Sequence, residues 1–260
     1  MHRIFNLFLF FCFIFTLVLA PENSFGQSRK WSQVKKTSVT FGGGYSLPIG
    51  KFASKAFDDP KAGMADAGYF GQFNLEQKLF PGFGLRLSAI QNVNRTNPEP
   101  VINKANELVM NFGPLIGETG PYNWQAESGR WKMTSLMLGP AIYIPIGPLE
   151  IEAHAQVGRL FITSPKITLN GTSESGNNPI VAQMFPIKAQ NWGFGGGASL
   201  RIPLGKSVQL SLLADALAAD ANFENIALHG NVGGMEVTQN ISEKRAVGVL
   251  NVGAGLVFRF

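Results

Sequence analysis

The sequence predicts an all-β fold: an eight-stranded antiparallel up-and-down transmembrane β-barrel with short periplasmic turns and long external loops. Three observations predict it. Eight segments carry apolar residues at every second position, tight and long connections alternate between them, and the apolar faces carry almost no charge. A strand sends successive side chains to opposite faces, so period two marks a wall with one apolar and one polar side.

The first segment, Thr37 to Tyr45, is Gly-rich. In Tyr69 to Lys78, Tyr69, Phe73 and Leu75 oppose Gln72, Asn74, Glu76 and Lys78. Phe83, Leu85, Leu87 and Ala89 then oppose Gly84, Arg86 and Ser88. Trp131 to Ile144 is apolar on both faces around Leu136, Leu138 and Ile142. The clearest segment is Leu149 to Val157, where Leu149, Ile151, Ala153, Ala155 and Val157 alternate with Glu150, Glu152, His154 and Gln156. Trp192, Phe194, Ala198, Leu200 and Ile202 face away from Asn191, Ser199 and Arg201. Val208, Leu210, Leu212, Ala214 and Ala216 oppose Gln209, Ser211, Leu213 and Asp215. The last segment sets Leu250, Val252, Ala254, Leu256, Phe258 and Phe260 against Asn251, Gly253, Gly255 and Arg259.

Three connections are tight and carry Pro or Gly, which suit hairpin turns: Phe80-Pro81-Gly82, Pro145 to Pro148, and Pro203 to Lys206. Four are long: Ser46 to Asp66, Arg95 to Arg130, Thr163 to Gln190 and Leu217 to Arg245. Strict alternation in a meander puts every tight turn at one end, as in barrels with short periplasmic turns and long external loops. A soluble lipocalin-like barrel shares the meander but keeps charge outside and apolar residues within. Here the broad apolar faces lack charge, as a lipid-facing band requires. Tyr45, Tyr69, Phe83, Trp131, Phe161, Trp192 and Phe258 fall near strand ends, where interfacial aromatic girdles belong.

Composition agrees. Charged residues are 15% of the 260, against roughly 25% in soluble domains. The net charge of +5 is modest and forms no basic run, which argues against a nucleic-acid partner. A single cysteine excludes a disulfide framework. His2 and Arg3 precede the apolar run Ile4 to Leu19, short for a membrane helix and long enough for a signal peptide. The Ser24-Phe25-Gly26 site predicts a signal peptide over 1–26, a periplasmic N-terminal segment over 27–35 and the barrel over 36–260. Cys12 reads as a passenger in that apolar run, because Phe11 precedes it where a lipid-modified cysteine has a small residue.

On these residues, the chain resembles the small eight-stranded outer-membrane β-barrels of Gram-negative bacteria, of the OmpA/OmpX type and the related PorT-like outer-membrane barrel domain. The most specific motif is Leu256-Val257-Phe258-Arg259-Phe260, whose Leu256, Phe258 and Phe260 resemble the signal read by the outer-membrane barrel assembly machinery. The resemblance implies insertion by that machinery and residence in outer-membrane lipid. With Phe260 last, no peptidoglycan-binding domain is expected. The family hosts many activities, so it implies a location more than a function.

An eight-stranded barrel is just wide enough for side chains to fill. Projecting the polar faces inward sets Lys78, Arg86, Arg201 and Arg259 against Glu76, Glu150, Glu152 and Asp215, with His154 among them. Unpaired charge there is costly, which predicts a lumen plugged by ion pairs. His154 with its neighbouring acids could serve a general base, but no nucleophile stands at a telling spacing, and no catalytic residue is expected. No metal site or cofactor is expected either. Gly193 to Ala198 fits G-x-G-x-x-A inside a strand and opens no helix, so a nucleotide site fails its context; these glycines let the wall bend or make room for a bulky neighbour. Val101, Ala105, Leu108, Val109 and Phe112 predict an amphipathic helix over Pro100 to Phe112, stopped by Gly113 and Pro114, that caps the lumen or docks on a partner.

Two function classes fit. One is a non-enzymatic barrel with a structural, surface-binding or assembly role, alone or with an envelope or secretion-complex protein. The other binds or moves a small solute or lipid ligand, with Glu150, Glu152, His154 and Arg201 as its lining.

Overall fold

The wall is set by residue alternation and closed by backbone pairing. The computed structural model describes residues 36–59, 61–112, 122–173, 179–232 and 234–260. The expected signal peptide, the 27–35 segment and the helix stop at Gly113 and Pro114 lie outside the described residues. Among the described residues eleven strands form: β1 (Thr37–Pro48), β2 (Ala65–Phe80), β3 (Phe83–Thr96), β4 (Tyr122–Ser128), β5 (Arg130–Ile146), β6 (Leu149–Thr163), β7 (Ile167–Ser173), β8 (Ile180–Met184), β9 (Lys188–Pro203), β10 (Val208–Val232) and β11 (Met235–Arg259). A helix, α1 (Glu99–Phe112), follows β3.

Eight strands pair in the order β1-β2-β3-β5-β6-β9-β10-β11, and β11 pairs back onto β1. They are the eight segments read from the sequence. Ring closure leaves no free edge within the membrane, which a spanning sheet requires. Ser38 pairs with Arg259, so both barrel ends of the chain sit at the short-turn rim. Gly82 and Gly147 take positive φ in two of those turns, where a Cβ would be strained.

The alternation is visible in exposure. Outward-facing Phe41, Phe73, Leu75, Leu87, Leu136, Leu138, Phe194 and Leu212 are exposed, while Asn74, Glu76, Arg86, Glu152, Arg201 and Asp215 are buried. From Leu149 to Val157 on β6, and over the matching stretch of every ring strand, the outward side chains include no charged residue. Exposed Tyr45, Tyr69 and Trp192 rim this belt at the long-loop end.

One aromatic departs from the girdle. Trp131 is 2% exposed and points inward, because β5 sends its odd-numbered residues into the lumen. It packs edge-on against Phe52 and Phe223, and its indole N–H donates to the Gly63 carbonyl at 3.0 Å. Met133, Met137, Leu160, Ile162, Leu213 and Leu217 continue this cluster. The β5 side of the long-loop half of the lumen is therefore an apolar core, which explains why Trp131 to Ile144 is apolar on both faces, while Ser46, Asn92, Asn94 and Asn251 form a buried hydrogen-bonded group beside it. Phe52, on a one-turn 3-10 helix (Gly50–Ala53), covers its mouth.

The long connections are more ordered than the sequence predicts. β10 and β11 run on past the last ring pairs, Ala219 with Gly193 and Val249 with Pro48. Asp220 to Val232 is about 40 Å of strand at the usual rise. β8 pairs with Leu228–Val232, β7 with β8, and β4 with β7, giving a second antiparallel sheet, β11-β10-β8-β7-β4, above the ring. Helix α1 forms as expected, with the Asn97 side chain accepting from the Glu99 N–H. Its main packing partner is β4, where the Trp124 indole donates to Asn106 at 2.6 Å.

Trp131→Ala is expected to lower stability by about 3–5 kcal/mol, the usual cost of removing a buried aromatic. Urea titration in lipid vesicles checks this; an unchanged midpoint would place Trp131 outside the core.

Candidate functional site: the buried charge layer of the lumen

The short-turn half of the lumen gathers the charged residues that the alternation turns inward. Glu76 on β2, Arg86 on β3, Glu150, Glu152 and His154 on β6, Arg201 on β9 and Asp215 on β10 meet near the axis. Arg201 Nη2 holds both Glu76 oxygens, at 2.7 and 2.8 Å, and reaches Glu152 at 3.7 Å. Arg86 Nη1 lies 3.0 Å from both Glu152 oxygens and 3.8 Å from Glu76, while its Nη2 reaches Asp215 at 3.5 Å. Each arginine thus bridges two or more strands across the barrel.

A second cluster lies toward the short turns. Lys78 Nζ sits 2.6 Å from Glu150, and Arg201 and Arg259 each reach Glu150 at 3.6 Å. Lys78 also lies 4.2 Å from the centre of the Tyr143 ring, whose hydroxyl donates to Glu76 at 3.1 Å. The four cations match the four carboxylates in number. Opposite-charge pairing is what makes burial of so many ions tolerable.

The neutral partners follow the same parity. The Ser38 hydroxyl donates to Glu76, and that of Ser199 to Glu152. Glycine makes the room. A Cβ on Gly197 would overlap the Asp215 carboxylate and the Ala214 carbonyl, and one on Gly195 would lie 2.7 Å from Leu217. This is the space-making role expected of that glycine run. The gap beside the cluster, between Thr40, Gln72, Ser211 and Leu213, is too tight for a water molecule.

His154 lies between two acids, with Nδ1 3.0 Å from Glu152 and Nε2 3.5 Å from Asp215. Glu150, its other expected neighbour, turns to Lys78, Arg201 and Arg259 instead. Two residues of this layer carry weak sequence signals: Tyr143 and Ser38 are recognisable only once strand parity is known. Leu256 and Phe260 are exposed, and Phe258 packs against Phe41 at 6.5 Å between ring centres.

A closed antiparallel eight-strand ring with a charge-free apolar outer belt and its charged side chains turned inward defines an integral outer-membrane β-barrel. No family model and no curated protein matches the chain. Among solved structures it is similar to a major outer membrane protein of Thermus thermophilus, 16% identical over 86% of this chain and 98% of that one, with a TM-score of 0.46. It is similar also to Neisserial surface protein A (11% identical; 86% and 97% covered; TM-score 0.39) and to Ail of Yersinia pestis (11%; 86% and 100%; 0.39). The class itself rests on this chain's own strand pairing and outer surface.

Arg201→Met alone is expected to cost about 3–5 kcal/mol, because it strands Glu76 without its main partner. Adding Glu76→Leu should recover most of that loss. A double-mutant cycle by urea unfolding checks the coupling, and additive losses would contradict it.

Proposed function

We propose that this protein is a non-enzymatic outer-membrane scaffold. Its lumen is plugged by Lys78, Arg86, Arg201 and Arg259 against Glu76, Glu150, Glu152 and Asp215, and its long-loop end binds or assembles with another envelope or secretion-complex protein. The observation that carries the reading is the second sheet. Strands from three long connections pair into one rigid platform that the ring itself does not need. Rigid presentation lowers the ordering cost of binding. Leu108 and Met110 on α1, and Met235 and Val237 at the hairpin tip, leave apolar area uncovered on that platform.

The plug is supported by the pairing distances in the lumen and by the apolar core stacked on them. The outward side chains of Leu256 and Phe260 support insertion through the assembly machinery, with Phe258 as the third element of that signal.

Two measurements test the reading. In planar bilayers the pure protein is expected to give no steady single-channel conductance, and a stable open channel would favour solute passage instead. Mild-detergent purification from native membrane is expected to retain a stoichiometric partner, and replacing residues 164–187 by a short Gly/Ser link should remove it. Recovery of the intact barrel alone would contradict the assembly role.

A further inference from the structure

We propose that the long-loop rim of β3, β5, β6 and β9 binds the phosphate groups of anionic lipid headgroups. The inference rests on the membrane reading above and adds a ligand class and a place. Arg95, Arg130, Lys132, Arg159 and Lys188 all occupy outward-facing positions on these four adjacent strands. The neighbouring outward positions on these strands hold Gln91, Val93, Thr134, Phe161, Thr163 and Gln190, and the nearest carboxylate in register is Asp66 on β2, opposite Arg95. Among the described residues, no carboxylate lies within ion-pair distance of any of the five cations. Asp66, the register partner of Arg95 on β2, is 3.5 Å from Lys55.

Register makes the charge concentration costly on its own. Arg95 and Arg130 are directly opposed across β3 and β5, an arrangement that destabilises a sheet unless an anion joins it. Lys132 and Lys188 share one row through Thr163, two strand spacings or about 10 Å apart. The opposite side of the barrel differs: there β10 and β11 present Asp220 and Lys244, paired at 3.1 Å. The uncompensated charge is therefore one-sided.

Depth fixes the ligand. The Arg130 guanidinium lies 5.8 Å from the Tyr69 ring and donates to its hydroxyl at 3.2 Å; that of Arg159 lies 5.2 Å from the Trp192 ring. Tyr69 and Trp192 are the exposed aromatics that end the charge-free belt, the level at which headgroups begin. Tyr69 takes one Arg130 N–H, and the Gln190 amide oxygen takes Arg159 Nε and Nη2, which fixes both guanidinium groups at headgroup depth; their remaining N–H groups are the donors for phosphate oxygens. The facing ligand is lipid phosphate, because the strands below are in the hydrocarbon.

The test uses the full barrel in nanodiscs of phosphatidylcholine, with or without phosphatidylglycerol or a diphosphorylated glycolipid, and counts retained lipid by native mass spectrometry. The wild type should retain the anionic lipids in preference to phosphatidylcholine. The R130Q/K132Q/R159Q/K188Q variant should lose at least about tenfold of that preference, given the contribution of each basic side chain near an anionic surface. K132Q/K188Q, which disturbs no ring contact, should lose an intermediate amount and guards against misfolding of the larger variant. K61Q and K206Q, exposed cations elsewhere, should change nothing. Competition by soluble inorganic phosphate without any lipid preference would assign the rim to free anions and overturn the lipid claim. Equal retention by wild type and variants would overturn the rim site. Failure to insert into any bilayer would overturn the membrane reading instead.

Discussion

The rest of the structure depends on one constraint: ions enclosed by a narrow wall must neutralise one another. The alternation that puts Leu, Ile and Phe toward lipid necessarily turns Glu76, Arg86, Glu152, Arg201 and Asp215 inward. In so narrow a barrel they meet whether or not they match. They do match, and each arginine links acids on different strands. Shifting β2, β3, β6, β9 or β10 by one residue would drive its charges into lipid and break the pairing together. The charge layer and the outer belt thus specify one register twice.

Above that layer the interior changes character. Trp131, Met133, Met137, Leu160 and Ile162 fill the long-loop half, with Phe52 over the mouth. Ion pairing fixes the short-turn half, and apolar packing with the Ser46–Asn92–Asn94–Asn251 hydrogen bonds fixes the other. The Ser46 to Asp66 connection is drawn in to complete the packing, through the Trp131–Gly63 hydrogen bond. That closed end is also the base of the second sheet, since Phe223 and Ile226 in the core lie on the same β10 that pairs with β8. The stacked core and platform give the long-loop end a fixed shape.

The eight ring strands were legible because period two is enforced on every one by two incompatible environments, lipid and lumen. The charge layer was legible for the same reason: Lys78, Arg86, Glu150, Glu152, Arg201, Asp215 and Arg259 all share the inward parity of their strands. Trp131 was misleading because a strand-end aromatic satisfies both a girdle and a core, and only its odd number beside Met133 and Met137 decides between them. β4, β7 and β8 were hidden because they are short and depend on a chain of pairings, β8 on the β10 extension, β7 on β8 and β4 on β7, that no local pattern announces. Tyr143 and Ser38 were missed because neutral partners take their meaning from the ion beside them.

The most direct test of the central claim is solvent access to the lumen. With Cys12 replaced by Ser, cysteines placed at Ser135, Ser199 and Ser211, each buried inside the ring, would be treated in intact membranes with a small water-soluble thiol reagent. A cysteine at Lys206, exposed in the short turn between β9 and β10, serves as the reactive reference. The proposed plug predicts that the three inner cysteines stay unmodified while the rim cysteine reacts. Inner cysteines that react as fast as the rim would mean an open, water-filled lumen, and would contradict the account.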